Sequence, residues 1–194
     1  MSAVRRRMMG GENDPYKLPA GYTKLESVYK GNWVFVTYDA NFPIYVKFKL
    51  AVNLNYQGIL FGRSDGFRIV LENNTIRCKT ANILSVEDNQ VVEVEAGYNP
   101  PNINMKINET TYINGNTTNV YSDKLLLGAG WTNNNSGSQF TLYSFELYDY
   151  DSTTNGPGAI RSKLIPCKEE STNTYGVYDV ITDTFYSGNW RAQR

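Results

Sequence analysis

Two glutamates are the nearest thing in this sequence to a catalytic pair. In Val91-Val-Glu-Val-Glu95 they stand two residues apart, so on an extended strand Glu93 and Glu95 present their carboxylates to one face. Glycoside hydrolysis needs a general acid as well as a nucleophile or base. No convincing acid is spaced to supply it, and the next position on that face is Gly97. The pair reads as a solvated outer face, and the chain as non-enzymatic. The absence of histidine removes Ser-His-Asp and Cys-His nucleophiles and every His-containing zinc site. Two cysteines, Cys78 and Cys167, cannot build a four-cysteine zinc site. Both fall on expected strands, and with no export signal at the start of the chain the expectation is two buried reduced thiols, not a disulfide. Asp149, Asp151 and Asp123, with neighbouring Asn carbonyls, are the oxygen-rich candidates for calcium. The run Asp149-Tyr-Asp151-Ser-Thr-Thr-Asn-Gly156 lacks a D-x-D-x-D-G spacing, and turn chemistry explains it. No metal and no cofactor is expected.

Binding is better supplied than catalysis. The chain has 15 Tyr and 22 Asn, residues that give rigid amphipathic contact area and adaptable hydrogen bonds. Trp131-Thr-Asn-Asn-Asn-Ser-Gly137 sets an aromatic ring ahead of Asn133, Asn134 and Asn135. A Trp face stacks on sugars and Asn amides bond to hydroxyls, so this run is the candidate glycan or receptor contact. The plainer reading, a hairpin loop whose Trp covers one end of the sandwich, is the favoured one. Asn73, Asn108, Asn116 and Asn134 head N-glycosylation sequons, which carry no glycan without export. At the start, Arg5, Arg6, Arg7, Met8 and Met9 precede Gly10-Gly11. Guanidinium groups clamp carboxylates and methionines fill irregular grooves, so this basic arm is the candidate assembly anchor, with a frayed terminus as the alternative. Lys and Arg together number 19 against 19 Asp and Glu, which argues against nucleic acid as partner.

The elements that hold these residues follow from a period of two. In Ile44-Tyr-Val-Lys-Phe-Lys-Leu-Ala-Val52 the apolar side chains alternate with Tyr45, Lys47 and Lys49. Phe67–Leu71 and Ile103–Ile107 alternate likewise, and further strands are expected over Lys24–Tyr29, Trp33–Tyr38, Gln57–Phe61, Thr75–Lys79, Gln90–Glu95, Lys124–Gly128, Phe140–Tyr148, Ser162–Pro166 and Gly176–Val180. Asp65-Gly66, Asn73-Asn74, Asn114-Gly115, Asn155-Gly-Pro-Gly158 and Ser187-Gly188 punctuate them as turns. The 194 residues suffice for one domain, over 18–194, behind a short extended arm over 1–17. About a dozen strands without a helical period predict an all-β, two-sheet antiparallel jelly-roll sandwich, because one open sheet so wide would leave an apolar face wet. No run is long and apolar enough for membrane insertion.

Certain segments carry a resemblance. Leu18-Pro-Ala-Gly-Tyr-Thr-Lys-Leu-Glu-Ser27 opens the domain, Ile113-Asn-Gly115 is a hairpin, and Lys124-Leu-Leu-Leu-Gly128 is followed by Leu142-Tyr-Ser-Phe-Glu-Leu-Tyr148. Leu164-Ile-Pro-Cys167, Gly176-Val-Tyr-Asp179 and Thr184-Phe-Tyr-Ser-Gly188 close it. In this order they resemble a family of concanavalin A-like, laminin-G-like jelly rolls of the lectin and glucanase type. Its members occur in structural proteins of bacteriophages of gut bacteria and in bacterial surface proteins. Glycosidases on related jelly rolls use three carboxylates along one strand, the third of which is missing here at Gly97. The resemblance implies a non-enzymatic virion protein, displayed as capsid decoration, head fibre or tail-associated adhesin and attached through its arm. Its partners would be other virion proteins, further copies of itself and a host surface glycan. Surface-protein members would carry an export signal where this chain has its basic arm. A carbohydrate-binding module of a bacterial surface protein is therefore the alternative.

Overall fold

The computed structural model describes residues 16–31, 36–39, 43–62, 67–78, 81–113, 124–128 and 138–192. Among these residues the regular structure is entirely β, in two antiparallel sheets. The larger sheet runs β11 (Thr110–Ile113), β10 (Asn102–Ile107), β9 (Val91–Asn99), β4 (Ile44–Val52), β13 (Phe140–Asp151), β14 (Gly156–Glu169), β15 (Thr174–Asp179) and β16 (Thr184–Tyr186). Three short strands complete it: β1 (Tyr22–Lys24) on β14, β2 (Val28–Lys30) on β13, and β17 (Trp190–Arg191) on β2. The smaller sheet runs β3 (Val36–Asp39), β12 (Lys124–Leu127), β5 (Gly58–Gly62), β6 (Arg68–Glu72), β7 (Thr75–Cys78) and β8 (Ala81–Ser85). This is the expected jelly-roll sandwich.

The alternation read from the sequence sets which side chains meet. Ile44, Val46, Phe48, Leu50 and Val52 of β4 are buried between the sheets, and Tyr45, Lys47 and Lys49 face outward. Aromatic rings join the layers: Tyr38 of the smaller sheet stacks on Phe145 of the larger at 5.3 Å, and Phe67 stacks on Tyr98 at 4.8 Å. Such pairs contribute about 0.5–1.5 kcal/mol each beyond the area they bury. On the outer face of the larger sheet, register aligns Lys106, Glu95, Lys47, Glu146 and Lys163 across five strands, alternating in sign. Exposed pairs of this kind add a few tenths of a kcal/mol each, so the row favours one register more than it adds stability.

Three departures from the sequence reading have local causes. Asn155-Gly-Pro-Gly158 is not the turn. The turn lies over 152–155 with Asn155 left-handed, and β14 begins at Gly156, opposite Asp151. Strands β8, β11, β16 and β17 were not expected, being short or lacking an apolar alternation. The β10–β11 turn uses Asn108-Glu109 with both residues at positive φ, and Glu109 is not a residue that announces such a turn. Asn73-Asn74 takes the same left-handed pair, as expected. The stretch read as one strand over Lys24–Tyr29 is two, separated at Leu25–Ser27. The turns at Asp65-Gly66 and Asn114-Gly115 lie outside the described residues.

Candidate ligand-binding site

At one end of the larger sheet, register sets a row of outward residues: Arg191 of β17 beside Tyr29 of β2, then Thr141 of β13 and Ala51 of β4. Ala51 and Thr141 are short, so the middle of the row is a floor, not a ridge. Just past the ends of these strands, two residues from the row, come Asn189, Gly31, Gln139 and Asn53. Tyr56 and Asn89 complete the wall around a cavity of about 490 Å³. That volume lies within the usual small-ligand range of about 300–1,000 Å³.

Local structure explains each wall. Asn53 caps its own turn, its side-chain Oδ1 accepting the Asn55 N–H at 3.1 Å and its carbonyl the Tyr56 N–H at 3.1 Å. The turn leaves the Tyr56 ring 49% exposed at the cavity mouth, unusual for so large an aromatic. Asn53 Nδ2 donates to the Tyr29 hydroxyl at 3.4 Å, and that hydroxyl donates to Gln139 Oε1. Gly31 is buried against Asn189, whose backbone oxygen and side chain a Cβ at position 31 would approach within 2.7–2.9 Å. Asn189 Oδ1 in turn accepts from Arg191 Nε at 3.1 Å and Nη2 at 3.0 Å. The result is a concave polar surface of amides, phenols and one guanidinium with an exposed ring at its edge. It can stack on an apolar face and hydrogen-bond to hydroxyls.

Of the residues singled out in the sequence, only some lie among those described. Trp131, Asn133, Asn134 and Asn135 lie outside the described residues, as do Arg5, Arg6, Arg7, Met8 and Met9, with Asn116 and Asp123. Glu93 and Glu95 share the outer face of β9, as their spacing requires. Glu93 pairs with Lys49 at 2.7 Å, and Glu95 with Lys47 at 3.5 Å and the Tyr45 hydroxyl at 2.6 Å. Burial pushes the Glu95 carboxyl up, but the bond from Tyr45 and the charges of Lys47 and Lys106 outweigh it and hold it below its ordinary value. A carboxyl so held is ionised at neutral pH and cannot act as a general acid. Glu93→Gln and Glu95→Gln are accordingly expected to leave reducing-end release from a polysaccharide panel at the level of the unmodified protein, which is background. Turnover that vanishes in either variant would contradict this.

Asp149 pairs with Arg161 at 2.5 Å, and Asp151 accepts the Thr153 N–H at 2.8 Å and the Thr154 hydroxyl at 2.9 Å. These are ion-pair and turn contacts, and among the described residues no three acidic or sulfur ligands cluster as a metal site. Cys78 and Cys167 are buried and unbridged, in opposite sheets, with burial pushing the Cys167 thiol up to about 12. Sequence reasoning missed the pocket. The available signal was Ala51, a small residue at the outward position that continues Tyr45, Lys47 and Lys49.

The two antiparallel sheets define an all-β jelly-roll sandwich. No family model matches the chain, and no curated protein does. Among solved structures it is similar to a native heptameric SAP-like pentraxin from Limulus polyphemus, with 10% identity and a TM-score of 0.47 over 86% of this chain and 87% of that one.

Proposed function

We propose that the protein is a non-enzymatic, glycan-binding module whose ligand sits in the cavity between Tyr29, Tyr56 and Gln139. The observation that carries this is the exposed Tyr56 ring at the rim of a polar, amide-lined cavity. Sugars need both features: an aromatic face for their C–H surface and planar amides for their hydroxyls. Tyr56→Ala is expected to weaken glycan binding at least about fivefold, the loss of one stacking partner worth about 1 kcal/mol. Its melting temperature should change little, because about half of the residue is already exposed. A glycan array followed by NMR titration of the best hit is the measurement. Chemical-shift changes confined to a different face of the domain would overturn the assignment.

The setting we propose is the surface of a bacteriophage particle, where the module decorates the capsid or serves tail-associated adhesion. It would be attached through residues 1–17 to neighbouring copies or other virion proteins. The resemblance of the opening, core and closing segments supports this setting. Mass spectrometry of purified particles tests it, and absence of the protein there would remove the setting without touching the sugar pocket.

A further inference from the structure

We infer that the pocket selects acidic sugars, those bearing a carboxylate or sulfate, over neutral ones. The inference rests on the glycan reading above and concerns the charge of the ligand alone. Among the described residues none that lines the cavity is an aspartate or glutamate, and one of them, Arg191, is a cation at its rim. Arg191 is held by Asn189 through Nε and Nη2. An amide oxygen orients a guanidinium without neutralising it, and Arg191 has no carboxylate partner among the described residues. Its Nη1 N–H groups are not used by Asn189 and remain as charged donors for an incoming anion.

A second cation stands behind the floor. Lys30, next to the lining residue Gly31, directs its ammonium to the carbonyls of Gly31 at 3.2 Å and Ser138 at 2.9 Å, beside Gln139. It too has no acidic partner among the described residues. The nearby acid in sequence, Asp88, has its carboxylate turned to the Leu54 N–H at 2.9 Å and to Asn89 Nδ2 at 3.0 Å. This imbalance is local, since the chain as a whole has zero formal net charge. In the row Lys106, Glu95, Lys47, Glu146 and Lys163 on the same sheet face, by contrast, the lysines stand beside glutamates.

The test uses the full chain and three probes of one length: a galacturonate trisaccharide, its methyl ester, and a sulfated galactose trisaccharide. Isothermal titration at 50 and 150 mM salt reads the affinities. The galacturonate, the sulfated probe or both are expected to bind roughly tenfold to a hundredfold tighter than the ester, the worth of a charge-assisted bond, and to weaken with salt. Which of the two does so identifies the anion. Arg191→Gln, at an exposed position that leaves folding intact, should bring the anionic probes down to the ester. Arg191→Lys should keep part of the salt dependence. Equal binding of the ester and both anionic probes overturns the inference while leaving the sugar pocket in place. Failure of every probe and of a neutral glycan array overturns the glycan reading, and this inference with it.

Discussion

Asp179→Ala is expected to destabilise the protein by about 3 kcal/mol or more, a large fraction of the stability of a domain this size. Asp179 is the last residue of β15 and has no exposed surface. One carboxylate oxygen accepts the buried Ser162 hydroxyl at 2.7 Å. The other accepts backbone N–H groups of Ile181 at 3.0 Å, Lys163 at 3.2 Å and Thr182 at 3.4 Å. Ser162 also lies 3.3 Å from the hydroxyl of Tyr38, on β3 of the smaller sheet. With the serine hydrogen committed to the carboxylate, the phenol of Tyr38 supplies its own, and burial keeps that phenol protonated by pushing it well above its ordinary value. One carboxylate therefore closes the β15–β16 turn, ties β14 to β15 and reaches across to the other sheet. Removing it leaves several donors without an acceptor where water does not replace it. Asp179→Asn keeps an acceptor for the turn amides but turns an N–H toward Ser162, so a loss of about half as much is expected. Urea unfolding gives both numbers. A loss below about 1 kcal/mol for the alanine variant would show that the turn does not depend on this group.

Asp179 also shows how far the sequence could be read. Gly176-Val-Tyr-Asp179 is visible as a motif, but that its aspartate is buried is not, because polar residues after a strand usually mark a solvated turn. The sandwich itself was legible wherever one face is buried. Along β4 the period of two runs from Ile44 to Val52, and a slip of one residue would invert the whole set. Where both faces are covered, or a strand is only two or three residues long, the period carries nothing, as at β16 and β17. The candidate site suffered most from this. Its floor joins Arg191, Tyr29, Thr141 and Ala51 from four separate strands, and pairing between residues so far apart in sequence is not written in local pattern. The stretches that look site-like in the sequence, the Trp131 loop and the basic arm, lie outside the described residues.

Lys30→Met is expected to raise stability at pH 7 and to lose that advantage as the pH rises. Lys30 is 2% exposed, its stem packed on Gly128 and its ammonium 5.6 Å from the Phe140 ring centre. Burial lowers its amine from the ordinary 10.5 to about 8. The sign follows from proton counting. Below pH 8 the amine is charged in the folded and the unfolded chain alike, and the full cost of burying the charge is present. Between pH 8 and 10.5 the folded state releases a proton that the unfolded state keeps, so stability rises with pH across that window. The shift corresponds to a gain on the order of 3 kcal/mol at most. Methionine fills much the same volume without the charge and leaves the carbonyls of Gly31 and Ser138 short of one donor, a smaller loss. A net advantage of about 1–2 kcal/mol at pH 7 is therefore expected, reversing by pH 10.5. Guanidinium unfolding of both proteins at pH 7, 9 and 10.5 isolates the effect, because every other titrating group cancels in the difference. A difference that stays constant over that range would mean the ammonium is solvated or paired. Keeping a lysine where methionine is more stable is the pattern of a residue retained for its charge, and the charge stands directly behind the floor of the pocket.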